Sequence, residues 1–478
     1  MNHKVQLLLV NNYKIKIKSN HDTYLKKMKE EFSIHVPNYF FMGKFKAGMW
    51  DGKVNFITES GIMPYGLLID YLRIHKKLFP NLTIEADDNI KSLFKGPKLD
   101  INYNLKYTPR SYQKEAIELC LKYTKGIIRA ATAAGKSLVI SYIIKILLNN
   151  GSKTNVNKAL IVVPSKSLVL QFKNDMIDYG IADKHIGKVF TGCKEWDRKI
   201  VITTWQSLKN NLEKLPDYNC IIGDECHEVK AHELKKIFSK SKAQYRFGFT
   251  GTLPTPLTEL YSVKAFLGNV LKEYPSGLLA EEGWISKCNI KIINMEYPYG
   301  IIKNDYKGIK TEIFDNKRRL NLISNIVNSI NENVLLLVSY INEGDELKKL
   351  INRCTVKKTV FLSGKDKVEN REEWRKKMMR ENNIALIATY QIFQQGINIP
   401  NLKYIVLSSP TKSKIRTLQS IGRALRLHEN KEIDGAIIYD IIDNVKYLSK
   451  HGEKRIEYYK NEGHSIEYFK EDDFILPL

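Results

Sequence analysis

The sequence predicts an α/β chain in which two tandem parallel-sheet units follow a small α/β unit. Apolar strand-like runs alternate with helical segments from about residue 100 to 275, and the alternation resumes from about 285 to 447. The runs are nearly continuous in apolar residues, as strands covered on both faces are, instead of alternating apolar with polar. A chain of 478 residues is also too long for one hydrophobic core and is expected to divide into about three domains.

Within residues 1–95, Val5–Val10 and Tyr13–Lys18 read as a hairpin turning at Asn11-Asn12. His21–Phe32 is helix-like with Asn20 as candidate cap, Lys53–Thr58 is strand-like, and Gly66–Phe79 has helical periodicity ended by Pro80. Lys95-Gly96-Pro97-Lys98 reads as a linker. Residues 96–280 form the first large unit, with strands expected at Ile127–Ala130, Ala159–Val163, Lys199–Thr203, Cys220–Gly223 and Tyr245–Thr250. Residues 281–450 form the second, with strands expected at Val334–Ser339, Thr359–Leu362, Ile384–Ala388, Tyr404–Ser408 and Ala436–Ile441. Residues 451–478 are basic and aromatic and are expected to be a helical tail on the second unit.

Composition bounds the function classes. Hydrophobic content of 43% with 27% charged residues is that of a globular chain, not a disordered one. No apolar run is long enough to cross a bilayer, and Val5–Val10 is too short for a secretory signal. Six cysteines at 120, 193, 220, 226, 288 and 354 show no CxxC spacing, so reduced thiols in a cytoplasmic protein are expected, with no zinc site. The net charge of +24 points to a polyanionic partner, because each phosphate neutralised releases counterions.

The chemistry begins at Ala130-Ala131-Thr132-Ala133-Ala134-Gly135-Lys136-Ser137, between a strand and a helix. Small residues at Thr132, Ala133, Ala134 and Gly135 let backbone N–H groups point at phosphates, and the helix N-terminus adds a positive dipole end. Lys136 would reach the β- and γ-phosphates of ATP, and the Ser137 hydroxyl would hold Mg²⁺. Ala130 stands where this pattern has its first glycine. Downstream, Asp224-Glu225-Cys226-His227 follows the strand Cys220–Gly223, at the end of a parallel strand that faces the ligand crevice. Asp224 suits Mg²⁺ through water, Glu225 suits orienting and deprotonating the attacking water, and Cys226 suits a small buried filler. Upstream, Arg110, Tyr112 and Gln113 precede the first helix of this unit, where the Gln113 amide could read an adenine edge. In the second unit, Arg423 and Arg426 lie three residues apart on an amphipathic helix, with Gly422 just before them. Their permanent planar charges suit a transferring γ-phosphoryl group.

Taken in order, Tyr112-Gln113, Gly135-Lys136-Ser137, Asp224-Glu225-Cys226-His227, Thr250-Gly251-Thr252, Thr389 with Gly396, and Gln419-Gly422-Arg423-Arg426 resemble the motif series of superfamily-two helicases. The resemblance implies two RecA-like domains with ATP in the cleft between them. It makes Gln419, Arg423 and Arg426 catalytic partners of Lys136, Asp224 and Glu225, and Gly396 part of the nucleotide site. It also implies backbone contacts to nucleic acid from Pro164, Ser165, Gln171, Thr203, Thr204 and Trp205 in the first domain, and from Ser363, Gly364 and Thr389 in the second. Such contacts fix register without reading sequence. The DECH motif and the leading Gln419 lean towards the DNA-acting branch of the family.

Phe45–Lys53, Pro64–Leu67, Ser413–Leu418 and Asp440–Asp443 further resemble phage recombination-repair helicases, over nearly the whole chain. This implies a DNA-dependent ATPase, expected to be monomeric. Its partners would be duplex, single-stranded and branched DNA, with branch migration, fork regression and removal of RNA–DNA hybrids as its reactions. In the amino-terminal unit, Lys44, Phe45, Lys46, Trp50 and Lys53 interleave aromatics with charge, as a base-stacking surface would, although Phe45 and Trp50 equally suit a small core. The competing readings are an RNA helicase, a restriction-system motor, and a nucleic-acid-binding scaffold without turnover.

Overall fold

Val5, Leu7, Ile15 and Ile17 alternate with polar residues, and they pair as the buried face of a hairpin formed by β1 (Lys4–Asn11) and β2 (Lys14–Ser19), with Leu7 opposite Ile17. A short antiparallel pair, β3 (Ser33–His35) and β4 (Lys53–Asn55), stands apart from it. With β5 (Ile62–Pro64) and β6 (Thr83–Ala86) the hairpin makes a four-stranded sheet in the order β5-β2-β1-β6. The expected first helix forms over Tyr24–Glu31, and its N-cap is Thr23. Asn20 does not cap it, because the Asn20 side chain accepts from the Lys4 backbone N–H at 2.9 Å and closes the hairpin instead. The second helix covers Leu68–Leu78.

These coordinates come from a computed structural model that describes residues 4–11, 13–93, 95–229, 231–298, 300–354, 357–394, 399–409, 413, 417, 421–422, 424–431 and 434–474. The chain divides into two compact units, residues 1–129 with 135–273, and residues 274–478 with 130–134. The small amino-terminal sheet is part of the first unit.

The large sheet of the first unit is built from β7 (Lys125–Ala130), β8 (Ala159–Val163), β9 (Ile186–Phe190), β10 (Cys193–Lys194), β11 (Ile200–Thr204), β12 (Cys220–Asp224), β13 (Tyr245–Thr250) and β14 (Val270–Tyr274). Its order is β10-β9-β11-β8-β12-β13-β7-β14. Every residue of β7, β8, β11, β12 and β13 is buried, as both-face coverage of a parallel sheet requires. The sequence reading lacked β9, β10 and β14. These lie toward the sheet's margins, where Gly187, Lys188, Lys272 and Glu273 break up the apolar run.

The amino-terminal sheet packs against this unit through the helix Leu257–Leu267, whose Tyr261 and Ala265 join the apolar cluster of Phe32, Phe56 and Tyr71. Gly66 meets that helix so closely that a Cβ there would lie 1.9 Å from the Lys264 carbonyl oxygen. The Lys264 ammonium donates to both carboxylate oxygens of Asp70, at 3.1 and 3.0 Å, in a buried pair. The Tyr65 ring lies 4.5 Å from the Lys125 ammonium at the start of β7. The amino-terminal domain therefore touches the edge of the sheet where strands begin, about 20 Å of strand from where β7 ends.

The second unit holds β15 (Cys288–Met295), β16 (Val334–Val338), β17 (Lys358–Leu362), β18 (Ile384–Thr389), β19 (Tyr404–Leu407), β20 (Ala436–Asp443) and β21 (Ser465–Lys470), in the order β17-β18-β16-β19-β20-β15-β21. All six neighbouring pairs are parallel. The segment read as a helical tail is a helix over Leu448–Asn461 followed by β21, which joins β15 with Asn289 opposite Ser465. Asp440 and Asp443 on β20 each hold a buried arginine. Arg455 donates to Asp440 at 2.8 and 2.9 Å, and Arg319 to Asp443 at 2.8 and 3.3 Å.

Lys264→Met should lower unfolding free energy by about 3 kcal/mol in urea titration, because it leaves Asp70 buried beside only the exposed Arg73. The double variant Asp70→Leu/Lys264→Met should recover most of that loss; no recovery would mean that the pair is not what joins the two elements.

Candidate active site

The strand β7 delivers the chain into the loop that precedes the helix Lys136–Asn149. Two residues of the loop take left-handed backbone, Ala133 at φ 73° and the N-cap Gly135 at φ 71°. At Gly135 only glycine fits, because a Cβ would lie 2.6 Å from the Gln113 amide nitrogen. Gln113 is buried, and its Oε1 accepts from the Arg110 backbone N–H at 2.9 Å, which fixes the amide at the start of the helix Ser111–Tyr123. Tyr112 is buried beside it and Arg110 is half-buried. The structure thus brings Gln113 to the phosphate loop, as the sequence order implied.

Across the same edge, β12 ends at Asp224, and Glu225 turns the chain in a left-handed conformation at φ 47°. A non-glycine residue in that region is strained, and the turn places both carboxylates beside Lys136. The Lys136 ammonium lies 3.9 Å from Glu225 Oε1. Burial, reinforced by the neighbouring Glu225 charge, pushes the Asp224 carboxyl up to about 7, and Lys136 opposes the shift. Asp224 Oδ1 is buried with no hydrogen-bond partner, an acceptor that a bound cation or its water would satisfy. The Ser137 hydroxyl is 2.8 Å from the Tyr179 hydroxyl. A hydroxyl has two acceptor lone pairs and one proton, so this bond leaves Ser137 an acceptor site.

Thr250, at the end of β13, links the carboxylates to the next loop. Its hydroxyl oxygen lies 2.6 Å from the Thr252 carbonyl, 3.4 Å from Glu225 Oε2 and 2.5 Å from His227 Nδ1, and it accepts from the Thr252 N–H at 3.1 Å. Burial holds the His227 imidazole below its usual range, and the Glu225 carboxylate opposes that shift. Cys226 is fully buried and packs toward Gly248, a filler as expected.

The remaining candidates fall into three groups. Ser165 caps the helix Lys166–Asp178 through its hydroxyl, Pro164 is half-buried and Gln171 is exposed. Thr203, Thr204 and Trp205 are buried, with Thr204 accepting from the Ser207 N–H at 3.1 Å to cap the helix Trp205–Lys209. In the second unit, Ser363 is buried and bonded to Asp366, Gly364 is exposed, and Thr389 is buried at the end of β18. In the amino-terminal unit Lys46 is exposed and Lys53 half-buried, while the Trp50 indole N–H donates to the Lys53 carbonyl at 2.8 Å. Gly396, Gln419 and Arg423 lie outside the described residues. Arg426 is half-buried, and here the structure adds a residue the sequence reading missed. The buried Lys431 ammonium donates to the carbonyls of Pro400, Ala424 and Arg426 at 2.6, 2.9 and 2.9 Å. It fixes the segment that carries Arg426; its only sequence signal was a lysine shortly after the motif.

Three family models match in order along the chain. The amino-terminal model of the DNA helicase UvsW covers residues 4–85, that of the type III restriction enzyme res subunit covers 106–255, and the helicase conserved C-terminal domain covers 318–428. With the site geometry above, their order decides the family. The chain is a superfamily-two helicase. The ATP-dependent DNA helicase uvsW of Enterobacteria phage T4 is 26% identical over 474 residues, 91% of this chain and 93% of that protein. The DNA 3'-5' translocase XPB2 of Sulfurisphaera tokodaii is 24% identical over 412 residues, 77% of this chain and 89% of that protein. Among solved structures, T4 UvsW superposes with TM-score 0.50 at 23% identity, covering 98% of this chain and 100% of that one. An HsdR fragment of a type I restriction enzyme from Vibrio vulnificus gives TM-score 0.57 at 16% identity, covering 85% of this chain and 74% of that one. These two likenesses establish the fold, two RecA-like helicase domains with a small amino-terminal α/β region. As a helicase of this family the chain uses ATP. Among the described residues no helix is long and apolar enough to cross a membrane.

Thr250→Val keeps the shape of the side chain but leaves the Thr252 N–H and His227 Nδ1 without their shared partner. We expect about 1–3 kcal/mol of destabilisation in urea, and a smaller additional loss when His227→Ala is added than His227→Ala causes alone. Strict additivity would show that the two groups are not coupled.

Proposed function

We propose that this helicase is an ATP-driven DNA translocase that remodels branched DNA in recombination, repair and replication, by branch migration, fork regression and removal of RNA–DNA hybrids. The observation that carries the ATPase reading is the orphaned, buried Asp224 Oδ1 beside Lys136 and Glu225 at the mouth of the phosphate loop. The DNA preference is supported by the UvsW-type amino-terminal match over residues 4–85 and by the net charge of +24. A phage origin, with action in the host cytoplasm, follows the same likeness.

The donor set suits MgATP. Mg²⁺ is commonly held by one or two carboxylates with phosphates and water, and Ser137 with Asp224 would hold it here, where it would neutralise charge on the β- and γ-phosphates. Lys136 binds the same phosphates. Glu225 orients the attacking water and accepts its proton, with Oε2 fixed by Thr250 and His227. Gln113 holds the adenine side of the nucleotide, and Gln419, Arg423 and Arg426 are assigned to the γ-phosphoryl group on motif order alone. Ser165, Gln171, Thr204, Ser363, Gly364 and Thr389 are assigned to the nucleic-acid backbone on the same ground.

Lys136→Ala should leave the circular dichroism spectrum unchanged and lower ATP turnover by at least about a hundredfold; retained hydrolysis would overturn the site. Turnover of the unaltered protein should rise most with single-stranded, duplex and four-way junction DNA, and the junction should be resolved in an ATP-dependent way. Stimulation by RNA alone would move the chain to the RNA helicases, and stimulation by nothing would mark a scaffold.

A further inference from the structure

The segment Tyr39–Trp50 of the amino-terminal unit separates its aromatic residues into two sets. Tyr39 and Phe45 form a base, and Trp50 is half-buried beside it in sequence. The Tyr39 ring stacks on His35 at 4.3 Å between centroids and meets Phe45 edge-on at 4.8 Å. It also lies flat over Gly52, where a Cβ would come within 2.2 Å of the ring. The Trp50 N–H is satisfied by the Lys53 carbonyl. On this base a short 3₁₀ turn over Tyr39–Phe41 and a helical turn over Gly43–Lys46 carry large apolar side chains outward. Phe40 is 50% exposed, Phe41 70% and Met49 80%, with Met42 also exposed. Phe40 and Phe41 lie 4.4 Å apart, ring to ring.

Four large apolar side chains are thus exposed within ten residues, and none of them belongs to the apolar core of this unit, to which Phe32, Phe56 and Tyr71 contribute. Such patches mark interaction sites. The surrounding charge selects the partner. Lys44 and Lys46 are exposed on the same turn, and no acidic residue occurs between Val36 and Trp50. The nearest carboxylate in the chain, Asp51, is engaged by the Lys53 backbone N–H at 3.0 Å, and rings and thioethers set among lysines match bases bounded by phosphates, where the rings stack on unpaired bases and the ammonium groups neutralise the strand. Apolar side chains of this kind also wedge between base steps and unstack them.

We propose that Phe40, Phe41, Met42 and Met49, flanked by Lys44 and Lys46, form a wedge that takes the bases at the branch point of DNA. The proposal rests on the DNA reading above. It moves the base-contacting role from Phe45, which packs on Tyr39, and Trp50, whose N–H is taken by the Lys53 carbonyl, to residues that the sequence pattern did not single out.

The test uses the full chain without nucleotide, at fixed salt, with a fork carrying 2-aminopurine in the base pair beside the branch and a blunt duplex of equal length. The unaltered protein should raise the fluorescence several-fold as the base leaves its stack. Phe40→Ala/Phe41→Ala should abolish that rise and weaken fork binding on the order of tenfold. Blunt-duplex affinity and duplex-stimulated ATP turnover should stay within about twofold, since exposed side chains add little to folding. Lys44→Gln/Lys46→Gln should retain the rise at low salt and lower the salt slope of fork binding by about two. A double phenylalanine variant that keeps the fluorescence rise, or that loses fork and duplex binding equally, would overturn the wedge. So would sedimentation showing that the unaltered chain self-associates and that this variant does not, which would assign the tip to contact between protein copies. Absence of DNA-stimulated turnover in the unaltered protein would instead sink the DNA reading itself.

Discussion

A parallel sheet buried on both faces can hold polar chemistry only at its ends, and the candidate site follows from that constraint. Every residue of β7, β8, β11, β12 and β13 is buried. A carboxylate in the middle of such a strand would pay its full desolvation cost without a partner. Asp224 and Thr250 therefore stand at the last positions of β12 and β13, with Lys136 opening the helix after β7. Burial continues to act there. It raises the Asp224 carboxyl, lowers the His227 imidazole, and leaves one Asp224 oxygen without a donor. The site is thus incomplete as protein alone, and a cation with phosphates would complete it.

The same constraint shapes the second unit differently. Asp440 and Asp443 on β20 are also buried carboxylates, but each is fully engaged by an arginine, with Tyr459 and Tyr297 adding hydroxyl donors at 2.6 Å. Carboxylates satisfied from within the protein hold structure together, whereas one left wanting a partner marks chemistry. Lys431 belongs to the first kind. Burial, with Arg426 nearby, lowers its ammonium to about 8, yet its three carbonyl bonds keep it in place.

The amino-terminal unit is joined to the first sheet at the edge remote from the phosphate loop. Its apolar face is shared with Tyr261 and Ala265, and the Asp70–Lys264 pair is buried in the joint. Truncating residues 1–95 would strip that face from the helix Leu257–Leu267, so point substitutions on the outer tip are the sounder way to ask what the unit binds. The tip can be altered by itself because Phe41 and Met49 are mostly exposed and Phe40 meets the base only edge-on at Tyr39, while Tyr39 is held by His35 and Phe45.

The sequence alone located five strands in each large unit, β7, β8, β11, β12 and β13 in the first and β16 to β20 in the second, because continuous apolar runs are a local property. It also singled out Gly135-Lys136-Ser137, Gln113 and Asp224-Glu225 as candidates, and the structure places Gln113 against Gly135 and Glu225 3.9 Å from Lys136. Strands β9, β10, β14, β15 and β21 were not legible, since polar residues such as Lys188, Lys272, Asn289, Lys291 and Glu467 interrupt their apolar runs and leave a mixed pattern that reads equally as loop or helix. Only the tertiary structure decided that Asn20 closes a hairpin instead of capping a helix, that Lys431 ties three carbonyls, and that Phe45 packs on Tyr39 while Phe40 and Phe41 are exposed. Whether an aromatic faces inward or outward depends on what packs beneath it, and that neighbour is set by the fold, not by the residues on either side.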